Sequence, residues 1–350
     1  MSPRIFLGWL VVTVVTVVLA VAIGLGRETS TFDLVKRDAV FAELRASPDA
    51  AARVVIKSRF GAVNLERDGD DWISPERYGY PVQGSDVRRL VSGLADMRFV
   101  ERKTANPARF HRLEVQDITE EFADSAHVTV ARSDGGVLAD LIVGRPSARF
   151  FEGRSSGTYI RFPGTNDVWL VTGVTNVQTR LVPWLARTIL SVPADSVARI
   201  TIGEGEGAYA LIREKPEDAF AVEGASEGRK VDPDKVRPVS RALANLELED
   251  VKPHKDLELP AGAQVAEVQT FDSLVVRMRM AEIDKKRWAV FEASYEGDPK
   301  DQSDAARAAR AAAQASNKRG ADWVYWIPSA LFSNMTKPVE DVLGDTENAS

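Results

Sequence analysis

The chain has 350 residues, 44% of them hydrophobic and 27% charged, which is room for two domains and too apolar for a disordered protein. A formal net charge of −6 argues against a grip on nucleic acid. The absence of cysteine excludes thiol catalysis, disulfides and thiolate metal sites together.

The first element in chain order is Ile5 to Gly26, a run without a charged residue. A bilayer core needs about 20 helical residues, so the run reads as an uncleaved transmembrane signal anchor. Ala20-Val21-Ala22 also resembles a signal-peptidase site, and cleavage there is the alternative. A long following domain translocates largely regardless of flanking charge. The bulk of the chain is therefore expected outside the cytoplasm, on the periplasmic side of the inner membrane. Leu34, Val35, Phe41 and Leu44 then suggest a juxtamembrane helix ended by Ser47-Pro48.

From Arg53 the pattern turns to short alternating strands, with DGDD (Asp68 to Asp71) as a turn and Trp72 after it. An amphipathic helix follows over Val82 to Phe99, its stripe Val87, Leu90, Val91, Leu94 and Met97, with Ser85 as N-cap. Strands return around the turns Ser133 to Gly136 and PGTND, and LVPWLARTIL reads as a closing helix or helical turn. The same order then recurs. Strands around the turn GEGEG (Gly203 to Gly207) precede a helix over Val231 to Leu248, with Asp232 as N-cap and Pro233 at N1. Agreement in element order suggests one unit written twice.

The expected architecture is α+β: a transmembrane helix, then two tandem duplicated β-rich units, each an antiparallel sheet with one packed amphipathic helix. The boundaries are 1–26 (anchor), 27–50 (juxtamembrane helix or linker), 51–192 (first unit), 193–343 (second unit) and 344–350 (tail). The second unit carries an Ala-rich insertion, 294–321, expected to form a helix with little to bury. The copies differ there and at RPSARFFEGR, where Phe150 and Phe151 are expected in a loop among arginines. Arg149, Phe150, Phe151, Arg307 and Arg310 are accordingly the candidate partner-interaction residues.

Catalytic and metal motifs are not evident. The three histidines, His111, His127 and His254, lack ligand spacing. No Gly-x-Ser-x-Gly elbow occurs. Acidic stretches such as TEEF (Thr119 to Phe122) and ELED (Glu247 to Asp250) stand out only by abundance. No catalytic residue, cofactor or metal is assigned.

Several segments together resemble the family called domain of unknown function DUF4340. They are DGDDWIS, the lead-in and helix YPVQGSDVRRLVSGLADMRF, PARFHRLEV (Pro107 to Val115), LIVGR, TYIRF, DVWLV and WLARTIL before SVPADSVARITI. The likeness is good over 54–202 and loose beyond; VQGSD departs from the family's compact Pro-Ala-Asp lead-in. The resemblance implies one membrane span and an auxiliary role beside the permease and ATPase of an ABC-2-type export system related to those of gliding motility. It carries over no catalytic residues. The expected function is thus a non-enzymatic, membrane-anchored envelope protein, its sheet edges and loops serving as docking surfaces. The alternatives are an envelope hydrolase of glycan or lipid, with carboxylates in a cleft between the units, and a purely structural scaffold.

Overall fold

The computed structural model describes residues 38–151, 155–173, 177–225 and 230–344. These are mostly β, with nineteen strands in antiparallel sheets. The longest of the described helices are Gly84–Ala95, with 12 residues, and Asp304–Gly320, with 17. The fold is therefore mostly β and corrects the α+β expectation. LVPWLARTIL, read as a helix or helical turn, forms a 3-10 turn, Val182–Trp184, with Pro183 in its first positions, before strand Thr188–Leu190. The expected transmembrane helix at 1–26 lies outside the described residues. Among the described ones, no helix is long and apolar enough to cross a membrane.

Contacts divide the chain into two compact units: residues up to Ala62 with Arg88–Thr179, and Val63–Val87 with Arg180 onwards. In chain order the first strands are β1 (Arg53–Ser58), β2 (Gly61–Asp68), β3 (Asp71–Ser74) and β4 (Tyr80–Pro81). After helix Gly84–Ala95 come β5 (Arg98–Thr104), β6 (Ala126–Ala131), β7 (Val137–Phe151), β8 (Ser155–Arg161) and β9 (Val168–Thr172). In the first unit these run β1-β6-β7-β8-β9-β5, each neighbour antiparallel.

The second unit adds β10 (Thr188–Leu190), β11 (Val197–Ile202), β12 (Tyr209–Ile212) and β13 (Ala221–Val222). Helix Pro233–Ser240 follows, then β14 (Leu246–Glu247), β15 (Asp250–Pro253), β16 (Gln264–Thr270), β17 (Leu274–Ile283), β18 (Lys286–Tyr295) and β19 (Trp323–Trp326). Here the order is β11-β16-β17-β18-β19-β15, the first unit's order strand for strand. The hairpins β2–β3 and β12–β13 also correspond, each standing between the first strand and the helix of its copy.

Local chemistry accounts for the turns and helix ends. Gly203, Gly205 and Gly207 all have positive φ, making GEGEG the β11–β12 turn. Asp232 caps its helix through the Asp234 N–H (2.9 Å), with Pro233 first in line. That helix stops at Ser240, well short of Leu248, because Pro238 removes an interior N–H donor. The earlier helix begins at Gly84, which puts Ser85 inside the first turn rather than at the cap. In the second unit Val236, Val239, Leu243 and Leu246 are buried in one core with Ile200, Val268 and Met278.

The Ala-rich stretch is a helix, Asp304–Gly320, but it is not a loose excursion. Ala306, Ala309 and Ala313 are buried, and the helix packs on β17 and β18. Small side chains let its backbone lie close to the sheet. Asn317 accepts from Ala293 N–H (2.8 Å) and donates to Ala293 C=O (2.7 Å), completing β18 as a strand would.

Candidate functional site

Four of the segments that mark the family resemblance, PARFHRLEV, LIVGR, TYIRF and DVWLV, lie in the first unit. β5 leads to a 3-10 turn, Pro107–Arg109, capped by Asn106, whose Oδ1 accepts the Ala108 N–H (3.0 Å). One helical turn, Phe110–Leu113, ends at Glu114, which takes a left-handed φ of 56°. Phe110 and Val115 are thereby buried against Ile142 and Val168. Gly144, at the end of LIVG, leaves room for this return: a Cβ there would stand 2.2 Å from Leu113 O.

Arg161, from TYIRF, locks the segment down. It is 2% exposed, and a buried guanidinium is tolerated only when its donors are met. Nε donates to Val115 O (2.8 Å), Nη1 to Thr165 O (3.0 Å) and Nη2 to Asp117 Oδ1 (2.7 Å), while Cζ lies 4.8 Å from the Phe110 ring centroid. The chain then makes a closed loop over residues 116–125. Ser125 Oγ donates to Gln116 O (2.7 Å), and Glu120 N–H to Asp117 O (2.9 Å). Ala123 takes the buried position, and Phe122 is turned out with φ 59° and 75% exposure. Sequence reasoning weighed TEEF only as carboxylates. The usable signal was an isolated Phe inside an acidic turn.

Of the candidate interaction residues, Phe150 and Phe151 lie in strand rather than loop, paired with Ser156 and Ser155 in the β7–β8 hairpin; Arg149 precedes them in β7. Arg307 pairs with Asp304 on its own helix. Arg310 stacks over Tyr295, Cζ to centroid 4.7 Å, and donates to Asp301 O. The structure thus brings Arg307 and Arg310 onto one helix, and Arg149, Phe150 and Phe151 into one strand.

Other polar groups are arranged for structure. His127 Nε2 is 2.6 Å from Asp140 Oδ1, and Thr129 Oγ1 donates to that same oxygen (3.1 Å), so no hydroxyl is presented to the imidazole. No group of three or more metal-binding side chains occurs among the described residues. In the second unit a cavity of about 320 Å³ lies between residues 213–220 and helix Pro233–Ser240. Its Arg213 is pushed below its ordinary pKa by burial, and it donates to the carbonyls of Val197, Pro216, Ala194 and Asp195. It is a strut between two turns.

The open edge of β15 is closed to strand addition. His254 N–H donates to Asp322 O (2.9 Å), which sets the ladder so that Asp250 and Lys252 face β19 while Val251 and Pro253 face outward. Proline has no N–H, and that of Val251 donates to Asp250 Oδ1 (2.9 Å). Arg77 holds the same carboxylate, Nε to Oδ1 at 2.6 Å and Nη2 to Oδ2 at 3.1 Å. A partner strand would find no free N–H donor at Val251 or Pro253.

These features define a mostly β protein of two units with the same strand order, the first of which presents a fixed, aromatic-tipped loop. The chain belongs to the domain of unknown function DUF4340 family, matching it over residues 72–264, more than half its length. The match begins later and runs further than the motif likeness over 54–202. No curated protein matches the chain.

Proposed function

We propose that the protein is a non-enzymatic accessory subunit of an ABC-2-type transport assembly in the cell envelope, with its folded body outside the cytoplasm. The observation that carries a binding role is the loop 116–125, where a buried arginine fixes a turn whose outward side chain is Phe122. Buried guanidinium bonding is a costly way to hold a loop unless its shape matters. The likeness of the family motifs to export-system auxiliaries supports the transport setting, and the uncharged run Ile5 to Gly26 supports a place at the inner membrane.

The test is affinity purification of the tagged full-length chain from crosslinked membranes. A permease and an ATPase of the ABC class are expected in fixed ratio with it. A protein that washes from membranes with carbonate and brings down neither would sink the proposal.

A further inference from the structure

The loop that carries Phe122 meets a second exposed aromatic. Phe60 stands in the turn between β1 and β2 and is 55% exposed. Arg59 lies over its ring, Cζ to centroid 4.9 Å, and reaches across to Asp124 Oδ1 (3.0 Å). That ion pair ties the two turns together, so Phe60 and Phe122 belong to one end of the first unit. An aromatic side chain buries about 150–250 Å² in all, and the exposed fractions, 55% of Phe60 and 75% of Phe122, are what a partner can still cover. Phe122 is held in the left-handed region while Ala123 beside it is buried, so the ring is presented and does not need to be ordered on binding.

The loop that carries Phe122 has more carboxylates than the arginines paired with it. Asp117 and Asp124 are each paired with an arginine. Glu120 and Glu121 are exposed, and Glu120 accepts the Asp117 N–H of its own loop (3.2 Å). An anionic lipid surface is repelled by such a rim. A protein segment with lysine or arginine beside an apolar side chain is drawn to it.

We propose that this end of the first unit, with Phe60 and Phe122 inside an acidic rim, docks a basic, apolar segment of a partner protein. The proposal rests on the accessory-subunit reading and names the chemistry of the partner's contact. The probe is a fluorescent peptide, Lys-Lys-Leu-Phe-Leu-Lys-Lys, titrated against the full-length protein in detergent, with Glu-Glu-Leu-Phe-Leu-Glu-Glu as counterpart. The lysine peptide is expected to bind more tightly than the glutamate one, and to weaken as salt rises from about 50 to about 300 mM. Phe122→Ser and the double change Glu120→Lys with Glu121→Lys should each weaken it about tenfold. Equal binding of both peptides, or affinities for both variants within about twofold of the parent, would overturn it. Phe122-dependent binding to phosphatidylglycerol vesicles would also overturn it, by making the tip a lipid contact. Recovery of the ABC permease with Phe122→Ser at parental yield would remove this surface as the dock and leave the accessory reading standing; failure of the unaltered protein to recover it sinks that reading instead.

Discussion

Gly144→Ala is the sharpest test of how the first unit holds its loop. The added Cβ would lie 2.2 Å from Leu113 O, 2.6 Å from Val115 Cγ1 and 2.8 Å from Glu114 O. Gly144 does not occupy the left-handed region, so what the position requires is space, not conformational freedom. Two of the three obstructing atoms are backbone and cannot rotate away, so the return segment must lift. Lifting stretches the Arg161 Nε bond to Val115 O, now 2.8 Å, and the Val115 N–H bond to Phe110 O, now 3.2 Å. Overpacking costs about 1–3 kcal/mol and a disrupted bond to a buried charge about as much again. The expected loss is therefore about 3–5 kcal/mol, which for a unit of this size lowers Tm by roughly 10 °C. Calorimetry of the full chain reads it, with Gly164→Ala as control. Gly164 has φ +73° and open space around it, so only the conformational cost of about 1 kcal/mol applies. A Gly144→Ala midpoint within about 2 °C of the parent, or an equal cost at Gly164, would refute the close-approach argument.

Asn317→Ala should leave the N–H and C=O of Ala293 unpaired, cost about 1–3 kcal/mol, and raise hydrogen exchange at Ala293 before the rest of β18. Unchanged exchange there would contradict the strand-completing role. Tyr80 is buried and its pKa is pushed up to about 12, chiefly by desolvation, and burial raises Tyr325 as well. The native state then holds the phenol proton more tightly than the unfolded chain. The stabilisation is complete below about pH 10 and is lost as pH climbs toward 12, by about 1.4 kcal/mol per unit for Tyr80. Urea midpoints from pH 8 to pH 11 should fall less steeply in Tyr80→Phe, and an identical slope would show that the phenol does not titrate through unfolding. Phe122→Ser should leave stability within about 0.5 kcal/mol of the parent, since the ring is 75% exposed; a larger loss on thermal melting would mean that the ring packs.

The common strand order of the two units was legible because it rests on element order and period. The stripe Val236, Val239, Leu243 and Leu246 and the cap Asp232 were readable from spacing alone, and all four apolar residues lie in the core. The apolar stripe overran the helix, since it continues past Ser240, although Pro238 in the sequence signals the earlier end. The Ala-rich helix misled in the other direction: hydrophobicity looks for large side chains, whereas Ala306, Ala309 and Ala313 are buried because they are small. The site escaped for a different reason. Arg161 sits in β8 as one charge in a strand, and only the fold shows Val115, Thr165 and Asp117 arriving around it from elsewhere in the chain.

The two copies solve one packing problem in different ways, and the difference points to where function lies. After β5 in the first unit and β15 in the second, the chain packs back against strands of its own sheet. In the second unit Leu257 and Leu259 do so against Trp288, Ala281 and Val324, an apolar contact with Lys252 Nζ 5.3 Å from the Trp288 ring centroid. Only a short stretch then leads to β16 at Gln264. In the first unit the return is held by a buried guanidinium, and the chain spends residues 116–125 on a closed loop before β6. The second unit's return packs through apolar side chains with no buried guanidinium among the described residues, whereas the first adds a polar lock and a longer loop. The Ala-rich helix, by contrast, completes β18 and fills a core. Among the described residues, the loop that ends in Phe122 is an elaboration that core packing does not account for.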